Sequence, residues 1–563
     1  MDGSASPLDE RRRTLVVRHA PTLDAAIEAV RTRRAWSPFK DSPSSKIHGP
    51  EKPVAGKAAF EARLGKAFGL GQPGVVDQVG EEVSPFTGKA LGITYAACDP
   101  QALVAAAMDA LPAWARADPD LRLALCLEMA ERLYDRNFEM AHAVMHVAGQ
   151  SFTQAFSGSG PNALDRGIEA LAYAAKAMRD VTPSAEYRRD FAGQPVALEK
   201  TYRLVPRGVG LVICCASFPT WNAYPAMFAS LATGNPVIVK PHPIAVLPMA
   251  LVVETCREVL AQHGFDPNLL TLAVDTLADP VAGRLVDHPD VQIIDFTGSP
   301  RYGGHLERTV TGKLLFTETA GVNSVVIESV EDLDAVARAI ARSSSLFSAQ
   351  MCTSPQAIYI APELFESMSV AIVREIDAIA ADPGQAAGIM GAIQGDISLK
   401  VVAEARGAVE RRWGARVLRE AAPYVHPEFP DARTLTPLVI AVETEGCEDL
   451  YAEERFGPVL FLVRRPGRAA VEEATRLART RGSISSYLYS TDEDFIAWAE
   501  PLYEAAGANL SINLTGAMWI NFAAAYSDYH VTGLNPAGNA CLADLAFVAS
   551  RFRIVQRRRP SAS

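Results

Sequence analysis

Cysteines grouped as metal ligands are absent from this chain of 563 residues, in which only Cys214 and Cys215 are adjacent. The eight cysteines are scattered, and none belongs to a CxxC pair or to a Cys/His group with metal-ligand spacing. We therefore expect no structural zinc and assign no metal ligand. The spacing also gives no disulfide framework, so reduced thiols in the cytoplasm are the expectation. The cysteines are Cys98, Cys126, Cys214, Cys215, Cys256, Cys352, Cys447 and Cys541.

Long uninterrupted apolar runs and an excess of positive charge are missing as well. The most apolar stretch, residues 209–231, is broken by Pro219, Asn222 and Pro225, which argues against a membrane span. The N-terminus has no apolar core long enough for a signal peptide. Lys and Arg number 54 against 65 Asp and Glu, a net charge of −11, so neither nucleic acid nor an anionic membrane is an expected partner.

The composition is that of a folded globular protein, with 49% hydrophobic and 21% charged residues. The length predicts two to four domains, and no fixed-period repeat is visible. Residues 1–80 are predicted to be an N-terminal extension to which no role is assigned. A short helix is expected over residues 23–33, followed by irregular Ser- and Pro-rich chain on the surface.

Helices dominate the next part of the chain. Asp99 and Pro100 form an N-cap signal for a helix over residues 101–115. Apolar residues at spacings of three and four predict one longer helix over residues 121–149. Alternating residues around a turn at Gly193 then predict an extended hairpin over residues 186–205.

After the hairpin, strands alternate with helices, which predicts a parallel sheet covered by helices. Ligands bind such sheets at the carboxyl ends of the strands, where Ser217, Lys240 and Ser299 fall. The second half of the chain repeats this pattern. We therefore predict an α/β fold of two Rossmann-like domains with a cleft between them. The tail is predicted to contain an edge strand over residues 547–555, which favours a homodimer or homotetramer. The first four predicted strands lie at residues 210–215, 236–240, 270–274 and 290–296.

Five ordered motifs resemble the aldehyde dehydrogenase superfamily over residues 84–557. The GQxC motif of that family occurs here as AQMC, ending at Cys352, and its ExGG motif begins at Glu318, 34 positions earlier. The other three motifs are GNPVIVKP (234–241), FTGS (296–299) and EERFGP (453–458). The resemblance implies an NAD(P)-binding domain (81–185 and 206–317), a catalytic domain (318–520), and an oligomerisation hairpin and tail (186–205 and 537–563).

The resemblance implies the oxidation of an aldehyde to a carboxylic acid. Cys352 is the implied nucleophile, which gives a thiohemiacetal and, after hydride transfer, a thioester. Glu318 is the implied base for the water that resolves the thioester. The family stabilises the oxyanion with the backbone N–H of the cysteine and an asparagine side chain. Counting from the GN of GNPVIVKP places that asparagine position at Ser217, while Asn222 in TWNAYP is a candidate substitute.

The implied cofactor contacts are Lys240, His242, Gly298, Ser299, Glu454 and Phe456. Many NAD-preferring relatives have a glutamate three residues after the lysine, where this chain has Pro243. The missing carboxylate and the charge of Lys240 favour NADP, with NAD as the alternative. The helix that follows Gly298 and Ser299 is expected to face the pyrophosphate.

Three further strings resemble the PaaN branch of phenylacetate catabolism: PHP (241–243), TWNAYP (220–225) and YHVTGLNPAGNA (529–540). That branch implies a ring-opened, CoA-linked semialdehyde as substrate. A CoA-acylating dehydrogenase is an alternative, which Glu318 opposes because acylating relatives generally lack this base. An inactive fold-mate acting as a structural or binding subunit is the other alternative. The missing asparagine favours it, and the intact pair of Cys352 and Glu318 opposes it.

Overall fold

The structure is a computed structural model, and it describes residues 6–319, 321–516, 525 and 545–561. Short stretches of the predicted catalytic domain (517–520) and of the predicted tail (537–544) lie outside the described residues, as do residues 1–5. No helix in the described ranges is long and apolar enough to cross a membrane.

The N-terminal part of the chain is mostly helical, and it includes a short antiparallel pair of strands. Asp99 caps α4 as predicted, because its side chain accepts from the backbone N–H of Gln101. The single long helix predicted over residues 121–149 is wrong: the chain leaves helical geometry at Arg136 (φ −93°, ψ 9°), so that two helices form. The elements are α1 (Pro7–Thr32), α2 (Ser45–His48), α3 (Glu51–Glu61), β1 (Val75–Val79), β2 (Tyr95–Cys98), α4 (Pro100–Arg116), α5 (Pro119–Asp135), α6 (Asn137–Ala148), α7 (Phe152–Gly158) and α8 (Pro161–Arg179).

Helix α1 is longer and more deeply packed than the short helix predicted over residues 23–33. Its 26 residues include Pro21, and a proline normally marks a helix boundary, which is why the sequence pattern placed the start too late. Leu15 and Leu23 are buried in the main hydrophobic core. His19, also buried, contacts Glu128 of α5, whose carboxylate forms ion pairs with Arg18 and Arg132. Residues 7–32 are therefore part of the folded body rather than an appendage.

A parallel five-stranded sheet follows a β-hairpin. Its strand order is β7-β6-β5-β8-β9, and its central strands are buried because helices cover both faces. The first four predicted strands all occur, with boundaries shifted by at most two residues. The elements are β3 (Ser184–Phe191), β4 (Gln194–Pro206), β5 (Val209–Ile213), α9 (Ala223–Ala232), β6 (Val237–Lys240), α10 (Leu247–Gln262), β7 (Leu270–Leu272), α11 (Ala282–Asp287), β8 (Val291–Gly298), α12 (Pro300–Thr309) and β9 (Leu314–Thr319), with a 3₁₀ turn at Pro267–Leu269.

The second half of the chain builds a seven-stranded sheet of order β12-β13-β14-β11-β10-β15-β16, in which only the β12–β13 pair is antiparallel. The elements are β10 (Ser324–Ile327), α13 (Leu333–Ser345), β11 (Ala357–Ile360), α14 (Phe365–Ala381), α15 (Pro383–Met390), α16 (Asp396–Val409), β12 (Ala415–Arg419), β13 (Leu438–Val442), β14 (Val459–Arg464), α17 (Gly467–Arg481), β15 (Ser486–Tyr489), α18 (Glu493–Ala506), β16 (Leu510–Ile512), α19 (Ala546–Ala549) and β17 (Phe552–Pro560), with 3₁₀ turns at Leu346–Ala349 and Glu448–Leu450.

The C-terminal strand pairs with the hairpin in a three-stranded antiparallel sheet of order β17-β4-β3. The tail strand predicted over residues 547–555 is correct in kind but begins too early, because residues 546–549 form a turn of helix before the strand. The buried side chain of Arg551 fixes the change of direction, as its guanidinium makes two hydrogen bonds of 2.6 and 2.8 Å to Asp295 of β8.

Candidate active site

Cys352 follows a segment of strained backbone. Phe347, Ser348 and Ala349 have φ values of 50°, 49° and 51°, a left-handed conformation that non-glycine residues rarely adopt. Such strain persists only where surrounding contacts impose it. The segment turns the chain sharply between α13 and β11, so that Cys352 faces a cleft instead of continuing a helix.

Two buried amide side chains hold this segment in place. Gln350 donates to the carbonyls of Phe347 (3.2 Å) and Ala392 (3.0 Å), and it accepts from the N–H of Gln394. Asn323 donates to the carbonyl of Cys352 itself at 2.7 Å, while its oxygen accepts from the backbone N–H groups of residues 484 and 485. Because both amides are fully engaged, the position of the nucleophile is set by the protein before any substrate arrives.

Glu318 lies in β9 beside the thiol. It pairs in register with Thr297 of β8, and its side chain is buried. Burial raises the pKa of the Cys352 thiol well above its usual range, and the negative charge of Glu318 raises it further. The guanidinium of Arg166 on α8 acts in the opposite direction and lowers this pKa. The predicted pair of Cys352 and Glu318 is thus brought together, with Arg166 as a third group that the sequence did not indicate.

A close backbone contact explains why the motif that begins at Glu318 has a glycine at Gly321. A Cβ atom on Gly321 would lie 2.0 Å from the carbonyl oxygen of Gly482, so no other residue fits without a shift of the backbone. This close approach joins the chain after β9 to the end of α17 and fixes where β10 begins. Ala320, inside the same motif, lies outside the described residues.

The loop after β5 contains both candidates for the oxyanion donor, Ser217 and Asn222, and it places them differently relative to the cavity. Ser217 is nearly buried, its carbonyl accepts from Gln150 at 2.8 Å, and its hydroxyl hydrogen-bonds to Cys215. Asn222 is placed differently, because it lines the same cavity as Cys352. Its amide also donates to the sulfur of Cys215 at 3.8 Å, so both side chains bond to that thiol and the cavity wall alone distinguishes them. Of the two side chains, that of Asn222 therefore faces the reaction space.

A cavity of about 480 Å³ opens in front of Cys352, between the two α/β domains. Its walls carry apolar and aromatic side chains together with polar and charged ones, including Asp41 from the N-terminal segment and Arg342 from α13. The space is large enough for a small to medium organic aldehyde with a polar end. The large apolar side chains of the wall are Phe218, Trp221, Leu346, Met351 and Ile389.

Lys240 and His242 lie where the sequence predicted them, at the carboxyl end of β6. The Lys240 ammonium is 2.7 Å from a carboxylate oxygen of Asp275, in a pair whose side chains are almost completely buried. Burial, followed by the charge of Lys240, lowers the pKa of His242 to about 4, so that its imidazole is neutral at pH 7. Asp275 was not singled out from the sequence.

Gly298 and Ser299 connect β8 to α12. Gly298 is the last residue of the strand and Ser299 is the N-cap of the helix, with its hydroxyl oxygen accepting from the N–H of Tyr302. The first backbone N–H groups of α12 therefore point out of the sheet at its carboxyl edge, which is the geometry that suits a bound phosphate.

Glu454 and Phe456 belong to a loop that Gln356 holds against the cysteine segment. The Gln356 side chain donates to the carbonyls of Tyr451 (2.9 Å) and Glu453 (2.6 Å) and accepts from the N–H of Arg455. Burial raises the pKa of Glu454 to about 7, and its charge contributes to the raised pKa of Cys352. The loop thus lies within electrostatic reach of the nucleophile.

The supporting residues that sequence reasoning missed are Asn323, Gln356, Arg166 and Asp275. Gln356 and Asn323 act through side-chain bonds to distant backbone groups, and Arg166 lies inside a helix, so local patterns give no signal for them. Asp275 did have one, since it comes directly after a predicted strand at the same sheet edge as Lys240.

Comparison with known proteins now identifies the class. The model of the aldehyde dehydrogenase family matches residues 76–521. The chain belongs to this family and is an oxidoreductase that acts on aldehydes, and the predicted α/β fold is confirmed. It is similar to the crystal structure of an NAD-dependent aldehyde dehydrogenase from Burkholderia multivorans, at 42% identity and a TM-score of 0.93 over 98% of this chain and 99% of that one.

More distant relatives have other substrates in their names. The N-succinylglutamate 5-semialdehyde dehydrogenase of Burkholderia orbicola (strain MC0-3) is 27% identical over 72% of this chain and 79% of its own length. The structure of 1-pyrroline-5-carboxylate dehydrogenase from Thermus thermophilus is 20% identical, with a TM-score of 0.73 over 94% of this chain and 100% of that one, a likeness of fold alone.

Proposed function

We propose that this protein oxidises an aldehyde to a carboxylic acid through a thiohemiacetal and a thioester on Cys352, using NAD or NADP. The observation that carries the proposal is a positioned cysteine that lines a cavity of about 480 Å³ with a buried glutamate beside it. A thiol in this position adds to the aldehyde carbon, which makes the carbon a hydride donor. The nicotinamide supplies the hydride acceptor when the cofactor is bound.

Asn222 and the backbone N–H of Cys352 are the proposed donors to the oxyanion. Both side chains bond to the sulfur of Cys215, but only Asn222 is among the described residues that line the cavity with Cys352, so we favour Asn222 over Ser217. Two donors aimed at the developing charge stabilise the transition state more than the ground state.

Glu318 is the proposed general base for thioester hydrolysis. It is also the group whose negative charge opposes ionisation of the Cys352 thiol, so proton transfer between these two residues fits their shared surroundings. A base of this kind contributes about 10²–10⁴ in rate. Its presence favours water over CoA as the acceptor of the acyl group.

The cofactor residues fit a dinucleotide. Lys240 ends β6, Asp275 follows the neighbouring strand β7, Gly298 and Ser299 come directly before α12, and Glu454 lies within electrostatic reach of Cys352. Backbone N–H groups at a helix start suit the pyrophosphate, and a buried carboxylate and ammonium suit ribose hydroxyls. The similar structure from Burkholderia multivorans is named NAD-dependent.

The substrate class proposed is a semialdehyde that carries a polar group away from the reacting carbon. The cavity supports this because its wall combines apolar side chains with charged ones at Asp41 and Arg342. The ring-opened, CoA-linked semialdehyde implied by the PaaN resemblance is the particular candidate. The curated relatives from Burkholderia are named for a different semialdehyde, so the test includes both kinds.

A homodimer or homotetramer is the proposed assembly. Strands β3 and β17 are the outer strands of the hairpin sheet, and they expose the large apolar side chains of Phe191, Ile554 and Val555. Open edges with apolar side chains commonly pair with another chain. Light scattering on the purified protein gives the mass directly, and a monomer would contradict this part of the proposal.

The deciding experiment is reduced-cofactor production from a panel of free and CoA-linked semialdehydes, with product analysis in the presence and absence of CoA. We expect a carboxylic acid as the product under both conditions. Cys352→Ala is expected to abolish turnover, because the covalent step is lost. The matched control is Cys98→Ala, the same substitution at a buried cysteine at the end of β2, and it should keep activity.

Three outcomes contradict the proposal in different ways. Acyl-CoA formed only with CoA present would mean that CoA resolves the thioester. Full activity in Cys352→Ala would exclude the nucleophile. No turnover with any semialdehyde in a protein that binds the cofactor would favour the inactive fold-mate.

A further inference from the structure

A buried carboxylate stands beside Lys240 at the carboxyl edge of the five-stranded sheet. Asp275 lies three residues beyond the end of β7, and β7 pairs in parallel with β6, the strand that ends at Lys240. The Asp275 oxygen Oδ1 is 2.7 Å from the Lys240 ammonium, and the two side chains are 0% and 8% exposed. The pair is therefore part of the protein interior at the edge where a dinucleotide would bind.

One oxygen of this carboxylate has unused acceptor capacity. Oδ2 accepts from the backbone N–H of Val281 at 2.9 Å, which fixes the orientation of the side chain. Oδ1 lies 2.7 Å from the Lys240 ammonium, and no other group among the described residues donates a hydrogen bond to it. A carboxylate oxygen has two lone pairs, so Oδ1 can also accept from a ligand hydroxyl without loss of the ion pair.

The charged groups around this position do not favour the binding of an additional phosphate. Asp275 balances the positive charge of Lys240. His242 adds no charge at pH 7, because burial holds its pKa at about 4. A 2′-phosphate placed here would meet the carboxylate without a surplus cation from these groups, whereas a ribose diol would donate to the carboxylate and accept from the ammonium.

We propose that Asp275 selects NAD over NADP by binding the adenosine ribose hydroxyls and repelling a 2′-phosphate. This inference rests on the proposed function. It also reverses the preference for NADP that the sequence suggested, because Pro243 removes a carboxylate from one position while Asp275 supplies one from the loop after the neighbouring strand. The determinant lies in the loop that follows β7 rather than among the residues that follow Lys240.

The test is equilibrium binding of NAD and of NADP to the purified protein by calorimetry, with no aldehyde present. The wild-type protein is expected to bind NAD at least about tenfold more tightly than NADP. Asp275→Asn keeps an oxygen that can accept from Val281 and removes the charge, so the ratio of the two dissociation constants should shift toward NADP by about tenfold. The matched control is Asp279→Asn in the same loop, where the carboxylate is 82% exposed, and it should leave the ratio unchanged.

Equal or tighter binding of NADP by the wild-type protein would overturn the inference, and this arm needs no variant to fold. An unchanged ratio in Asp275→Asn, with a melting temperature like that of the wild type, would also overturn it. These results are separable from failure of the proposed function, since a protein without aldehyde turnover can still discriminate between the two dinucleotides. A wild-type protein that binds neither dinucleotide would overturn both proposals.

Discussion

Two loops close on the cavity from opposite domains, and each carries a cysteine. The loop of residues 346–354 presents Cys352 on strained backbone held by the amides of Gln350 and Asn323. The loop of residues 214–222 contains Cys215 and both oxyanion candidates, and its backbone is held by single hydrogen bonds such as that from Gln150. In the first loop Cys352 is the single candidate for the nucleophile. In the second loop there are two candidates for the oxyanion donor, Ser217 and Asn222, and their positions relative to the cavity distinguish them.

The difference shows what a motif encodes. In the cysteine loop the motif contains its own support, because Gln350 is both a motif residue and a backbone anchor. In the second loop the position counted along the chain is Ser217, but five further residues of chain bring Asn222 to the cavity wall. Counting residues from a family motif predicts a site residue correctly where the loop follows the same backbone path as in the family. It fails where the loop follows a different path.

The largest expected effect in this comparison is on kcat, and it distinguishes Asn222 from Ser217 as the oxyanion donor. Asn222→Ala should reduce kcat by about 10²–10³, because removing one oxyanion donor leaves the developing charge less stabilised. Ser217→Ala should change kcat less than about fivefold, since Ser217 is not among the described residues that line the cavity with Cys352. Both variants are compared by steady-state kinetics with the same aldehyde, and melting temperatures exclude unfolding. The reverse order of effects would show that Ser217 is the donor after all.

Much of this molecule could be predicted from its sequence, and the unpredicted part has a common cause. The strand-helix alternation and the Cys352–Glu318 interval depend on local patterns and on spacing along one continuous backbone. The full length of α1, the break at Arg136, and the roles of Asn323 and Asp275 depend on contacts between segments far apart in the chain. Pro21 is instructive, because the local rule for proline is sound and tertiary packing of α1 against α5 and α8 overrides it.

The supports of the two loops should also differ in stability. Asn323→Ala removes two donated and two accepted hydrogen bonds in a buried place, so we expect a loss of about 3 kcal/mol in the free energy of unfolding. Gln150→Ala removes the bond to Ser217 and a weak one from Ser159, and about 1 kcal/mol should be lost. Denaturant unfolding of both variants measures the difference. Equal losses of unfolding free energy in the two variants would mean that both loops are anchored equally strongly, and this would contradict the difference inferred from their hydrogen bonds.

The smallest expected effect concerns the ionisation of the two thiols. Burial raises the pKa of both Cys352 and Cys215, so alkylation by iodoacetamide should be slow at pH 7 and accelerate as the pH rises, since only the thiolate reacts. The guanidinium of Arg166 lowers the pKa of Cys352, and it is not among the groups that act on Cys215. Arg166→Met should therefore slow alkylation of Cys352 at pH 8 by a factor of about three, while the rate at Cys215 stays the same.

Mass spectrometry of the two peptides from one sample makes Cys215 the internal control for Arg166→Met. Glu318→Gln provides the opposite arm, because the negative charge of Glu318 raises the pKa of Cys352 and, more weakly, that of Cys215. Alkylation should become faster, and more so at Cys352. Equal slowing of both thiols in Arg166→Met would indicate a change in access to the cavity rather than in charge. Opposite responses of Cys352 to the two substitutions, with a smaller response at Cys215, would place the electrostatic control of the nucleophile in α8 and β9, outside the loop that carries it.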